Sequence, residues 1–192
     1  MQTLVISTSP RKGSNSLRVA NALAHLSQEA GGEVKSLDFE AYDLPLVGQG
    51  GLKKDQLSDF QAKLIESLTQ AQVILLAVPE YNWTTSGQLI NAIHQLGNPD
   101  FGHVFDNKLF ALVGVSSGRG GRIPCLEMTT LLNKMISFLN KQSIVSPRIF
   151  ESHETPQNLD EQGQLLSNEL YNKGLRDFVA YTFRLAQRWF AA

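Results

Sequence analysis

The chain has 192 residues, 42% hydrophobic and 18% charged, with 17 basic against 18 acidic side chains. That is enough chain to bury a continuous core, so a single domain over residues 1–192 is expected, and the composition excludes disorder. A net charge of −1 offers nothing that recruits nucleic acid or a membrane surface, which leaves small molecules as the expected partners.

Met1-Gln2-Thr3 runs straight into an apolar strand, without the basic start and apolar stretch of a signal peptide. No apolar stretch approaches the roughly 20 residues needed to span a bilayer. The lone Cys125 excludes an internal disulfide framework and suits a reducing compartment, so a cytoplasmic location is expected. With no C-x-x-C partner, Cys125 reads as a small buried hydrophobe. No spacing among His25, His94, His103, His153 and Cys125 suggests a metal ligand set, and none is expected.

Taken in order, "TLVIS" at 3–7 is the first predicted strand. Its near-continuous apolar character suits a parallel strand covered on both faces. Residues 15–29 follow with Leu17, Ala20, Leu23, Ala24 and Ser27 on one helical stripe, stopped by "AGG" at 30–32. "EVKSLDF" at 33–39 reads as an outer strand, and the Gly-rich stretch at 47–55 as a mobile connection or lid. A helix over 56–70, the strand "QVILLAV" at 72–78 and a helix over 87–96 come next. Then come the strand "LFALVGV" at 109–115, a helix over about 123–140 and the strand "SIVSPRIF" at 143–150, where Pro147 points to the sheet edge. A sustained 3.6-residue stripe from Leu165 closes the chain. Strict alternation of this kind predicts an α/β doubly wound parallel sheet, whose ligands bind outside the carboxyl ends of the strands.

The loops after the first, third and fourth strands are therefore where chemistry is expected. The first, "STSPRKGSNS" at 7–16, gathers hydroxyls from Thr8, Ser9, Ser14 and Ser16, the Asn15 amide and the Arg11 guanidinium at a helix N-terminus. Unpaired N–H groups and the helix dipole make such a point an anion site. The glycines of the Walker and G-x-G-x-x-G patterns are missing, which favours a terminal monophosphate over a triphosphate or pyrophosphate. Taken alone, the same residues also suit an N-cap and turn.

The second loop, "PEYNWTTSGQLINAI" at 79–93, places Tyr81, Asn82 and Trp83 at a strand end, where backbone amides and aromatic area can meet a heterocycle. Here the chain resembles the NADPH-dependent FMN reductases of flavodoxin-like fold, which include azoreductases and quinone or chromate reductases. The family's first loop, approximately G-S-x-R-x-x-S-x-N, maps onto Thr8 through Ser16, and its P-E-Y-N-x-S-x-P-G-x-L-K-N-A onto Pro79 through Ala92. Thr8 stands in place of a Gly, Ser16 of an Asn, Ser86 of a Pro and Ile90 of a Lys. The resemblance implies a five-stranded sheet of order 2-1-3-4-5, FMN as cofactor and NADPH or NADH as electron donor. It implies that Ser9, Arg11, Ser14, Asn15 and Ser16 hold the FMN phosphate and that Pro79, Glu80, Tyr81, Asn82 and Trp83 line the isoalloxazine. It further implies a homodimer or homotetramer reducing a small acceptor: a flavin, quinone, azo dye or metal oxyanion. Because the flavin carries the hydride, no protein acid or base is obligatory and no catalytic residue is expected.

The third loop, "GVSSGRGGRIP" at 114–124, admits two readings. Under the flavin reading Ser116, Ser117, Gly118 and Gly121 are small so that the ring can approach the backbone, and Arg119 or Arg122 either meets the NADPH 2′-phosphate or is a solvated surface arginine. Under the rival reading Gly114-Val115-Ser116-Ser117-Gly118 is the G-x-S-x-G nucleophile elbow of a serine esterase of the α/β-hydrolase type. That needs an acid and a histidine downstream, for which Glu127 or Glu151 with His153 are the candidates. A third class, a flavodoxin-type electron carrier, is disfavoured by the near-neutral charge, since such carriers dock through acidic surfaces.

Overall fold

In the computed structural model, which describes residues 1–191, the apolar runs become five parallel strands. They are β1 (Gln2–Ser7), β2 (Glu33–Asp38), β3 (Val73–Pro79), β4 (Leu109–Val115) and β5 (Ile144–Ser152), in the order β2-β1-β3-β4-β5. The helices are α1 (Asn15–Glu29), α2 (Asp59–Gln70), α3 (Gly87–Leu96), α4 (Arg122–Phe138), the one-turn α5 (Thr155–Asn158) and α6 (Glu169–Trp189). Fold class and strand order are thus as expected.

Two apolar layers explain why the central strands are apolar throughout. Leu4, Ile6, Ile74, Leu76, Phe110 and Leu112 face one side, where Leu64, Ile93 and Leu132 of α2, α3 and α4 cover them. Val5, Val73, Leu75, Leu109 and Val113 face the other, under Leu23 of α1 and Leu175 and Phe178 of α6. Every residue of β3 and β4 is buried, as a strand covered on both faces requires.

Pro147 does sit in an edge strand, and the ladder breaks around it. Between Phe110 and Leu112 of β4, the partner residues advance from Val145 to Ile149, a bulge in which the missing Pro147 N–H leaves no bond unmade. The Gly-rich stretch at 47–55 is moored at its start. Val47 N–H donates to Asn91 Oδ1 at 2.9 Å, and Gln95 Nε2 donates to the carbonyls of Pro45 and Gly50 at 2.8 and 3.0 Å. The last long helix begins at Glu169 rather than near Leu165, because Asn168 caps it by accepting from Tyr171 N–H.

β2 and β3 flank β1 on opposite sides, so the strand order reverses at β1 and the chains leaving β1 and β3 diverge. That divergence opens the crevice in which the loops converge.

Candidate active site

The first loop leaves the sheet under two bonds to one acceptor: Thr8 N–H and Thr8 Oγ1 donate to the Ala77 carbonyl at 3.1 and 2.9 Å. Gly13 lies at φ +58°, a left-handed turn that glycine adopts without steric cost. Ser14 is the N-cap of α1, accepting from Leu17 N–H at 3.1 Å, so the capping reading holds for that residue. The next N–H groups, of Asn15 and Ser16, have no partner among the described residues. No acidic residue occupies the first turn of α1. Ser9 is buried: its Oγ accepts from Arg11 N–H at 3.3 Å and shares a hydrogen with Tyr81 Oη at 2.6 Å. The Arg11 guanidinium lies 4.2 Å from the centre of the Tyr81 ring, a cation–π contact that leaves its N–H fork free at the rim.

The second loop is a two-residue hairpin. Tyr81 N–H and the Thr84 carbonyl pair at 2.7 Å and Thr84 N–H returns to Tyr81 at 3.2 Å, with Asn82 at φ 53° and Trp83 at φ 68°. Both central residues are left-handed, the type I′ geometry for which Asn-Gly is the favoured pair. Tryptophan at the second position costs about 1–2 kcal/mol in Cβ crowding, and at 74% exposed it recovers little by burial. Thr84 Oγ1 donates to Glu127 Oε2 of α4 at 2.8 Å and braces the turn.

Glu80 ties the second loop to the third. Its N–H donates to the Val115 carbonyl at 2.9 Å, and its carboxylate accepts from Gly121 N–H at the N-terminus of α4. There a carboxylate complements the helix dipole. The glycines follow from this packing. A Cβ on Gly120 would lie 2.3 Å from Glu80 Oε1, and one on Gly114 would lie 2.0 Å from the Gly121 carbonyl oxygen. Gly121 itself is at φ +107°.

The esterase reading fails on this geometry. Ser116 Oγ accepts from Gly118 N–H at 3.2 Å, and no hydrogen bond joins it to a histidine among the described residues. His153 Nε2 pairs instead with Glu151 at 3.3 Å, and Glu151 also meets Arg122 at 2.6 Å. Gly114, the first residue of the apparent elbow, is small because Gly121 packs on it. Arg122 is thus engaged with Glu151, whereas Arg119 is exposed. Cys125 is fully buried, and burial foremost pushes its thiol well above the usual range, so the inert-hydrophobe reading fits.

The three loops enclose a cavity of ≈ 300 Å³. Of the residues singled out from sequence, Ser9, Arg11, Ser14, Asn15 and Ser16 line it from the first loop, Pro79, Glu80 and Tyr81 from the second and Ser117 from the third. Asn82, Trp83, Ser116, Gly118 and Gly121 lie outside that lining. Sequence reasoning missed Lys12, Gly13 and Val115, which also line it. Lys12 was discoverable as the second cation of the loop. Glu80 is the one carboxylate in the lining and it is bound to Gly121, so the cleft presents donors and positive charge. Among the described residues no group of three or more His, Cys, Asp or Glu side chains has the placement to hold a metal ion. No helix among them is long and apolar enough to cross a membrane.

The family model described as NADPH-dependent FMN reductase matches residues 1–147. A probable NADPH:quinone oxidoreductase 2 of Oryza sativa subsp. japonica is 27% identical to this chain, over 96% of it and 90% of the relative. An NAD(P)H-dependent FMN reductase of Pseudomonas aeruginosa is 30% identical over 65% of this chain and 62% of its own. Among solved structures the fold is shared with FerB, a flavoenzyme NAD(P)H:(acceptor) oxidoreductase from Paracoccus denitrificans, at a TM-score of 0.76 and 18% identity, covering 98% of each chain.

Proposed function

Since the chain belongs to the NADPH-dependent FMN reductase family, we propose that it is an NAD(P)H-dependent, FMN-containing oxidoreductase whose cofactor lies in the cleft between the first three strand-end loops. The observation that carries the reading is the start of α1: free N–H groups, serine hydroxyls and Arg11 converge there, and no carboxylate lies in the first helical turn. That donor set fits a phosphate monoester dianion.

Bound FMN would supply the redox chemistry, two-electron transfer from the hydride of NAD(P)H to an acceptor such as a quinone, with one further proton drawn from solvent to complete the hydroquinone. The chain's own residues bind and orient. Ser9, Arg11, Ser14, Asn15 and Ser16 take the phosphate oxygens. Pro79, Glu80, Tyr81, Asn82 and Trp83 would line the isoalloxazine; the Asn82 and Trp83 N–H groups, without a partner among the described residues, are the ones left to stabilise developing negative charge there. The third loop would form the opposite side through Ser117, which lines the cleft, with Ser116, Gly118 and Gly121 beside it in the same loop. Glu80 sets the distance between second and third loops through Gly121.

We read residues 1–192 as one domain, Ala192 lying outside the described residues, because the two apolar layers share one sheet. The reading includes a cytoplasmic setting and a homodimer or homotetramer. The exposed apolar side chains Ile123, Leu126 and Phe138 along α4 support the latter. The visible spectrum after FMN addition and gel filtration tests the whole: retained yellow flavin, bleached by NADPH and recoloured by a quinone, is the expected result. Loss of all flavin, together with hydrolysis of a p-nitrophenyl ester that Ser116→Ala abolishes, would sink it.

A further inference from the structure

We propose that the connection between β5 and α6 is a clamp that holds the third loop at the cleft, with Thr155 as its positioning residue; its effect on flavin rests on the reductase reading above. The clamp runs over residues 153–168, outside residues 1–147 over which the family match extends. Ser117 lines the cleft, and the carbonyls of both its neighbours are taken by the clamp. Thr155 N–H and Thr155 Oγ1 donate to the Ser116 carbonyl at 3.2 and 3.0 Å, and Glu154 N–H donates to the Gly118 carbonyl at 2.8 Å. Ser116 N–H in turn donates to the Ser152 carbonyl at 3.0 Å. Among the described residues, every hydrogen bond that residues 116–118 make beyond themselves goes to Ser152, Glu154 or Thr155. The anchorage of this side of the cleft is therefore the end of β5 and the turn that follows it.

The turn is shaped for this contact. Glu154 stands at φ 47°, a left-handed conformation unfavourable for a residue with a Cβ, and there the successive N–H groups of Glu154 and Thr155 both meet the third loop. Asn158 pins the turn: its Nδ2 donates to the His153 carbonyl at 2.9 Å, and its Oδ1 accepts at 2.7 Å from Nδ2 of Asn168, the N-cap of α6. Thr155 also closes a buried row of hydroxyls, since Tyr171 Oη lies 2.7 Å from Ser152 Oγ, which lies 2.8 Å from Thr155 Oγ1. A carbonyl can only accept, so with Thr155 donating to Ser116 one polarity uses every hydrogen: Tyr171 donates to Ser152, and Ser152 to Thr155. Removing the Thr155 hydroxyl leaves that row one acceptor short and the Ser116 carbonyl with one donor fewer, away from water. The third loop flanks the ring side of the cleft and not the phosphate, so its loosening should weaken FMN and riboflavin alike.

The test compares wild type with Thr155→Val, Thr155→Ser, Tyr171→Phe and, as a control, Thr182→Val, which removes a buried hydroxyl that donates to the Phe178 carbonyl at 3.0 Å within α6. Amide hydrogen exchange on the flavin-free chains is read at the bonded Ser116 and Gly118 N–H groups, with Leu17 N–H at the start of α1 as reference. Thr155→Val is expected to speed exchange at Ser116 and Gly118 about ten-fold and leave Leu17 alone. In flavin-fluorescence titration it should weaken FMN and riboflavin each about ten-fold, so that the preference between them stays. Thr155→Ser keeps the hydroxyl and should stay within about three-fold of wild type on both readouts, and Tyr171→Phe, at the far end of the row, should show the Thr155→Val pattern at smaller size. Thr182→Val should change neither. Unchanged exchange at Ser116 and Gly118 in folded Thr155→Val, the same change in Thr182→Val, or a Thr155→Ser as impaired as Thr155→Val would overturn the clamp. Should Thr155→Val not fold, Tyr171→Phe decides, and no selective change at Ser116 and Gly118 would overturn it. A loosened loop with unaltered flavin affinity would overturn the positioning role. A wild type that binds no flavin, with the third loop still loosened by Thr155→Val, would overturn the reductase reading and leave the clamp standing.

Discussion

The Ser86 hydroxyl donates to the carbonyl oxygen of Thr8 at 2.7 Å, and the same Oγ accepts from Leu89 N–H at 3.2 Å to cap α3. Ser86 stands where the family pattern has Pro, and its hydroxyl fastens the second loop to the first through the Thr8 main-chain carbonyl. Thr8 and Ser86 are fully buried, so the bond is made away from water. Ser86→Ala removes the cap and leaves the Thr8 carbonyl short of a partner, at a cost of about 1–2 kcal/mol in unfolding free energy. FMN affinity should fall alongside. A urea midpoint equal to wild type would show that the bond contributes nothing.

Arg11→Ala separates phosphate recognition from fold. The side chain is exposed and its contact with the protein is the Tyr81 face at 4.2 Å, so stability should change by less than about 1 kcal/mol. A charge-assisted bond to phosphate contributes about 1.5–3 kcal/mol, so FMN affinity should drop roughly ten- to hundred-fold. Riboflavin, which has no phosphate, provides the control. Flavin-fluorescence titration should find the FMN preference over riboflavin reduced in Arg11→Ala; a preserved preference would remove Arg11 from the phosphate site.

The sheet was legible because β3 and β4 are apolar on both faces, and continuous runs of branched residues have few other uses in a chain of this length. The gathering of donors in the first loop was legible for a similar reason: Ser9, Ser14 and Ser16 are local and flank the start of α1, where all three line the cleft. The links between loops were not. Glu80 and Gly121 are 41 positions apart, and nothing in "PEYN" says that its carboxylate meets the start of α4, beyond both α3 and β4. Gly114 and Gly121 are required by each other's backbone, a contact invisible to any short motif and misleading when read as a nucleophile elbow. The one-turn α5 and the late start of α6 were missed because Asn168 and the turn before it outweigh the apolar stripe that begins at Leu165.

The glycines of the third loop should therefore rank by contact and not by motif. Gly114→Ala drives a Cβ to 2.0 Å from the Gly121 carbonyl oxygen, backbone against backbone, and should destabilise by about 3 kcal/mol or fail to express. Gly118→Ala has nothing within 4 Å and should cost less than about 1 kcal/mol in thermal unfolding. Gly120→Ala meets the Glu80 carboxylate at 2.3 Å, so combining it with Glu80→Ala, which removes that obstacle, should be less damaging than the two single effects summed. Strict additivity would dissociate Gly120 from Glu80.

Asp38, at the end of β2, gives the fold a pH dependence of defined sign. Burial foremost raises its carboxyl above the ordinary 3.8, against the lowering effect of bonds that include Glu40 N–H to Oδ1 at 3.3 Å. A raised folded-state value means that the native chain binds this proton more tightly than the unfolded chain. The group's contribution to stability is then fully present below the unfolded value of 3.8 and is lost as pH rises through the folded one. At neutral pH the half-buried charge is a liability. Asp38→Asn keeps the oxygen that caps the Phe39–Ala41 turn and removes the charge, so it should stabilise at pH 7. Its advantage should shrink steadily as acid protonates the wild-type carboxyl. Urea denaturation of both proteins at intervals from pH 7 down toward pH 4 measures this, and an advantage that grew on acidification would reverse the sign assigned to Asp38.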